Sequence, residues 1–153
     1  MTEYKYICTK HRFWVDENPK DAFESIQKMT KLAEQLLQKN QPNQAIPYLG
    51  TAYETAQIIF DNRLESPQLT TSLTSSAIML AHAYAATNQL NAANILLKHL
   101  NTKMKCAIEC AYGYTTKVAF FEHCSRAITE AKNDIMLAST IPTLKPNQYS
   151  QLH

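Results

Sequence analysis

Residues 80–100 read LAHAYAATNQLNAANILLKHL, and this stretch decides the fold that the sequence predicts. Alanine and leucine recur at intervals of three and four residues on both sides of a polar turn at 87–89. This is the spacing of two amphipathic helices joined by a short connection. Ala81 and Ala93 are small enough to let the two helices approach closely, and Tyr84 fills the space between them.

A second copy of this pattern lies 48 residues earlier, where residues 32–52 read LAEQLLQKNQPNQAIPYLGTA. Its small and large apolar residues stand at the same offsets from its turn. The matching positions are Leu32, Ala33, Leu36, Ala45, Leu49 and Ala52 in the first unit, and Leu80, Ala81, Tyr84, Ala93, Leu97 and Leu100 in the second. The chain is therefore predicted to contain two helix–turn–helix units.

Helix-breaking residues and helical spacing define the remaining elements. Asn18-Pro19 marks a helix start, with asparagine as the N-cap and proline in the first turn. Helices are predicted from this point to a break at 40–43, and then over roughly 44–62, 68–87, 90–100 and 103–139. Gly113 divides the last segment into two helices or leaves it as one, and periodicity does not decide between them.

The scarcity of glycine sets the fold class. Only Gly50 and Gly113 occur in 153 residues, whereas sheet proteins use many glycine-containing turns. We expect an all-α domain of about five to six helices, arranged as antiparallel pairs in a short superhelix or a bundle. The predicted organisation is an N-terminal arm at 1–17, one helical domain at 18–141 and a polar C-terminal tail at 142–153.

The N-terminal arm is rich in aromatic and basic residues. Tyr4, Tyr6 and Cys8 alternate with other side chains, which is typical of an extended segment. A true strand and an arm packed across the helices both remain open. Phe13 and Trp14 would serve either as a partner anchor or as a pin that holds the arm to its own domain.

The two units resemble tetratricopeptide repeats, which place small residues and an aromatic residue or leucine at these relative positions. The second unit is the better match, because Leu36 of the first unit stands where an aromatic residue is common. The interval of 48 departs from the family's 34, its late proline is missing, and Asn40 and Asn88 replace a glycine near the turn. The resemblance covers about half of the chain and implies stacked helix pairs.

The resemblance also implies a function. In such domains the first helices of each pair line a concave groove that receives a peptide or a helix. The corresponding positions here are Glu34, Leu37, Gln38, His82, Ala85 and Ala86. We therefore expect a non-enzymatic adaptor or chaperone with a protein or peptide partner and without a cofactor. The alternative for these positions is that they are packed, or covered by the N-terminal arm.

A competing hypothesis is a small helical-bundle enzyme or metal-binding protein that uses a cluster of cysteine and histidine. The residues available for it are Cys8, His11, Cys106, Cys110, His123 and Cys124. Zinc requires four convergent ligands, and cysteines four apart within a helix do not supply that geometry by themselves. The sequence contains no glycine-rich phosphate loop, His-Glu-x-x-His motif or Gly-x-Ser-x-Gly elbow. Free thiols and no metal are the expectation.

Charge and hydropathy favour neither nucleic acid nor a membrane as partner. The fifteen basic residues are interleaved with thirteen acids, and the uncharged segment at 66–97 is rich in polar residues. The N-terminal residues lack the pattern of a signal peptide, so a cytoplasmic location is expected. The apolar pattern at 104–135 is wider than one neighbouring helix requires, which leaves a homodimer through this segment as a further prediction.

Overall fold

The computed structural model describes residues 4–62 and 66–139, and within these ranges it contains α-helices and no strand. The helices are α1 (Thr9–Glu17), α2 (Pro19–Gln38), α3 (Pro42–Asp61), α4 (Pro67–Ala86), α5 (Leu90–Cys110) and α6 (Thr115–Ser139). The predicted all-α fold of antiparallel helix pairs is confirmed. The predicted tail at 142–153 lies outside the described residues.

Proline at the first helical position starts α2, α3 and α4, where its missing N–H removes no intrahelical hydrogen bond. Ser66 caps α4, because its hydroxyl accepts a hydrogen bond of 3.1 Å from the N–H of Leu69. Asn18 precedes α2 as predicted, but its side chain does not cap that helix. It donates instead to the carbonyl of Trp14 at 3.0 Å and so ties α1 to α2.

The turns of the two repeated units have the same backbone geometry. Asn40 and Asn88 adopt positive φ angles of 57° and 63°, a conformation that asparagine tolerates better than most residues. The next N–H after each asparagine donates back across the turn, from Gln41 to Leu36 at 2.9 Å and from Gln89 to Tyr84 at 2.7 Å. Both turns thus end their first helices with the same hydrogen bond between residues five apart.

Each helix from α2 to α6 packs against the next one along the chain. In addition α4 contacts α2 on one side and α6 on the other, so these three helices lie next to one another. The interior between the helices is made of alanine, leucine and isoleucine, with Ala33, Ala45, Ala81 and Ala93 fully buried at the points of closest approach. These are the four positions at which the sequence predicted close helix contact.

One predicted helix end was wrong, one question that the sequence left open is decided, and one helix was not predicted. The fourth predicted helix does not end near residue 100, because α5 continues without a break to Cys110. The division of the 103–139 segment falls at Gly113, whose φ of +92° is accessible mainly to glycine. Residues 4–8 of the predicted N-terminal arm contain no strand and bend at 5–7, whereas residues 9–17 form α1.

The wide apolar pattern of the C-terminal part is used within the chain. Helix α6 contacts both α4 and α5, and its buried residues Phe121, Ile128 and Ile135 face this interior. The width of the pattern therefore follows from two intramolecular neighbours. None of the helices in the described ranges combines the length and the apolar character that crossing a membrane requires.

Candidate functional site

The predicted groove positions lie on the solvent side of α2 and α4. The three positions on each helix lie near its C-terminal end. They are at the same number of residues from the loop that follows each helix. Leu37 and Ala85 are half-buried against the core, whereas Glu34, Gln38, His82 and Ala86 are exposed. Helices α2 and α4 contact each other and end in the same turn geometry, and the two sets together are named here the α2/α4 face.

Residues 4–8, which precede α1 and are called here the N-terminal segment, lie on a different surface. The ring of Tyr6 lies directly on Gly50 of α3, at a place where any side chain would come within 2.3 Å of it. The Tyr6 hydroxyl is hydrogen-bonded to the hydroxyl of Tyr84. On α4, Tyr84 is two residues from His82 and from Ala86, which is about 200° around the helix. The segment is therefore bound on the opposite side of α4 from His82 and Ala86.

A single carboxylate holds this segment in place. Glu54 of α3 is only 6% exposed and accepts three backbone hydrogen bonds, from the N–H groups of Lys5 (2.7 Å), Tyr6 (2.7 Å) and Ile7 (3.0 Å). Burial raises the pKa of Glu54 above its ordinary value, although the three N–H groups and the ammonium of Lys5 act in the opposite direction. The network fixes the position of residues 5–7 against α3.

Sequence reasoning missed this network, although one signal was present. Glu54 is the only charged residue between 41 and 60, a segment that is otherwise uncharged. A lone carboxylate on a helix of this kind indicates a buried partner. Its partners are backbone groups 47 to 49 positions away, which no side-chain pattern reveals.

The aromatic residues of α1 are accessible. Phe13 is 63% exposed, and Trp14 is 39% exposed with its ring edge-to-face with that of His11 at 5.6 Å. Trp14, His11 and Cys8 line a depression of about 470 Å³ between α1 and Ser25 of α2. Val15 is the buried residue that attaches α1 to the core, so Phe13 does not act as the pin considered above.

The six cysteine and histidine residues of the competing hypothesis are distributed over separate places. Cys8 precedes α1 and His11 lies on it, whereas Cys106 and Cys110 line a cavity beside α5. On α6, His123 is exposed and Cys124 is buried, and this burial raises the pKa of its thiol. In the part of the chain that the structure describes, no three His, Cys, Asp or Glu side chains converge as metal ligands.

Comparison of the chain with protein-family models, with curated proteins and with solved structures returns no match. The resemblance to tetratricopeptide repeats therefore rests on the residue pattern. Function has to be argued from the geometry of the described residues.

Proposed function

We propose that this chain is a non-enzymatic interaction module that binds a protein segment across the α2/α4 face. The observation that carries the proposal is the equivalence of the two turns, with Asn40 and Asn88 in the same conformation and the same hydrogen bond across each turn. This equivalence sets two adjacent helices in the same register, so their exposed faces offer a repeated surface of the kind used by helical-repeat proteins.

The composition of the α2/α4 face indicates the chemistry of the partner. Helix α4 contains no Asp, Glu, Lys or Arg, and its contribution to the face consists of His82, Ala85 and Ala86. Small side chains let a partner backbone come close, and an uncharged surface favours uncharged side chains opposite it. Glu34 supplies one acidic position on α2. A segment with small or apolar residues and a flanking basic residue would fit this surface.

The position of the N-terminal segment also supports the proposal that the α2/α4 face binds a partner. Its hydrogen bonds to Glu54 and to Tyr84 hold it on α3 and on the side of α4 that is opposite His82 and Ala86. A tetratricopeptide-like superhelix is part of this proposal. A cytoplasmic location and a homodimer through residues 104–135 stay predictions of the sequence.

Affinity capture with matched variants tests the proposal. The double variant Gln38→Arg, Ala86→Arg places two long charged side chains on the α2/α4 face at exposed positions. The control Gln44→Arg, Asn91→Arg adds the same charges at exposed positions on α3 and α5. We expect a partner that the wild type and the control retain and that the first variant loses by at least about ten-fold in affinity.

Circular dichroism must show equal helicity for all three proteins, because the comparison is meaningful only between folded chains. Equal retention of the partner by both double variants would contradict binding on the α2/α4 face. Loss of the partner from the control variant alone would indicate that the partner binds the second helices, α3 and α5.

A further inference from the structure

A cavity of about 550 Å³ lies between the end of α3, the second half of α5 and the start of α6. Its deepest residues are Phe121, which is 5% exposed, and Ala111, which is 6% exposed. Phe60 stands edge-to-face with Phe121 and forms an aromatic wall with it. The volume falls within the range of small-molecule sites, which are mostly apolar with a few polar groups.

The polar groups of this cavity carry a positive excess. Lys103 reaches Asp61 at 2.5 Å, so these two charges offset each other. Lys117 stands over the ring of Tyr114, with its ammonium 5.6 Å from the ring centre, and it adds a second positive charge. Burial and the charge of Lys103 lower the pKa of His99 and so favour its neutral form.

We propose that this cavity binds a small molecule that combines an apolar body with one anionic group. The apolar body would lie against Phe60, Phe121 and Ala107, which remove it from water. The anionic group would lie at the mouth beside Lys117, where a charge-assisted hydrogen bond to the ammonium is available. A medium-chain aliphatic carboxylate has both features. The site is separate from the α2/α4 face and goes beyond the proposed interaction function.

Two exposed thiols make the cavity directly testable. Cys106 and Cys110 are four residues apart on α5 and both line the cavity, whereas Cys8 is also exposed but lies at the start of α1, outside the cavity. A bound molecule should shield the first two from alkylation and leave the third unchanged. Cys8 therefore serves as an internal control for the alkylation of Cys106 and Cys110.

The experiment uses three probes of equal chain length and different charge: decanoate, decanol and decylamine. Their binding to the full chain is measured by calorimetry, and the alkylation of each cysteine by iodoacetamide is followed by mass spectrometry. We expect decanoate to bind at least about ten-fold more tightly than the other two. We also expect it to slow alkylation of Cys106 and Cys110 several-fold, with Cys8 unaffected.

Substitutions distinguish the contribution of the Lys117 charge to binding from that of the apolar wall. Lys117→Met should weaken decanoate binding about ten-fold, whereas Lys105→Met, at an exposed position of α5 outside the cavity, should leave it unchanged. Ala107→Trp should abolish binding of all three probes by filling the cavity. If this variant does not fold, Lys117→Met and the alkylation pattern still test the proposal.

Equal affinity for the three probes would overturn the proposal. Decanoate binding that slows alkylation of Cys8 as much as that of Cys106 and Cys110 would overturn it as well, because the probe would then be bound without preference for this cavity.

Discussion

The second helices of the two repeated units, α3 and α5, occupy the same place in their units and have different surroundings. Every residue of α3 from 52 to 59 is buried, so no side of that helix faces solvent there. The buried residues of α5 form one stripe, Ala93, Leu97, Leu100 and Met104, and Ile95 on another side is 70% exposed. The same sequence pattern thus produces one enclosed helix and one open helix.

The difference comes from residues that lie outside the repeated pattern. Helix α3 contacts α1, α2 and α4, and residues 5–7 cover it through Glu54. Helix α5 contacts α4 and α6. Its uncovered side carries the cavity proposed as a small-molecule site. The N-terminal residues therefore complete the first unit, whereas the second unit keeps an accessible surface.

The largest expected effect on stability follows removal of the Glu54 carboxylate, which holds residues 5–7 against α3. Glu54→Ala leaves three backbone N–H groups without their acceptor, and we expect a loss of about 3 kcal/mol in the free energy of unfolding. Urea denaturation measures this loss. Glu54→Gln keeps one accepting oxygen and should lose about half as much. A loss below about 0.5 kcal/mol in Glu54→Ala would show that residues 5–7 do not stabilise α3.

The next effect concerns the contact between Tyr6 and Gly50. Alanine normally stabilises a helix interior by about 1 kcal/mol relative to glycine. Here its methyl group would collide with the Tyr6 ring, so Gly50→Ala should destabilise the chain by about 1–2 kcal/mol. In a Tyr6→Ala background the same change should become neutral or stabilising. Additive effects in this double-mutant cycle would contradict the contact.

A smaller and symmetric effect is expected at the two turns. Asn40→Ala and Asn88→Ala should each cost about 1 kcal/mol, because alanine is less favourable at positive φ, whereas the corresponding glycine variants should be neutral or slightly stabilising. Thermal or urea unfolding of the four variants tests this. Costs that differ between the two turns by more than about 1 kcal/mol would mean that the units are not equivalent.

The smallest effect is a pH dependence. The pKa of Glu54 is raised by burial above 4.5, so the folded chain keeps this proton at pH values where the unfolded chain has lost it. The contribution of Glu54 to stability is therefore greatest below pH 4.5 and decreases as the pH rises through the raised pKa. The stability difference between wild type and Glu54→Gln should accordingly shrink from pH 4 to pH 7. A growing difference would contradict the direction of the shift.

Local sequence signals predicted most of the helices because they act within a few residues. Pro19 and Pro67 start helices, and Gly113 occupies the turn that separates α5 from α6. The predicted helix end near residue 100, which does not exist, falls beside two polar residues of α5, Asn101 and Lys103. Both make tertiary contacts, Asn101 with Ser125 at 2.6 Å and Lys103 with Asp61. Such contacts stabilise polar residues inside a helix and leave no trace in periodicity.

Two further features were beyond the reach of sequence patterns. Helix α1 begins at Thr9 after the N-cap Cys8, whose sulfur accepts from the N–H of His11 at 3.5 Å, and cysteine is not among the preferred N-cap residues. The cavity beside α5 combines Phe60, Lys103 and Lys117 from three helices. Its residues are distant in sequence and carry no common spacing. The predicted positions of the α2/α4 face, in contrast, follow from the repeat itself.

Site-specific photo-crosslinking tests the central claim, that the α2/α4 face binds a protein segment. Benzoylphenylalanine is placed at Gln38 or Ala86, and as controls at Gln44 or Asn91, in cells that produce the full chain. The account predicts the same discrete protein adduct from both positions on the α2/α4 face and none from the controls. Adducts confined to the controls, or no adduct from Gln38 and Ala86, would contradict it.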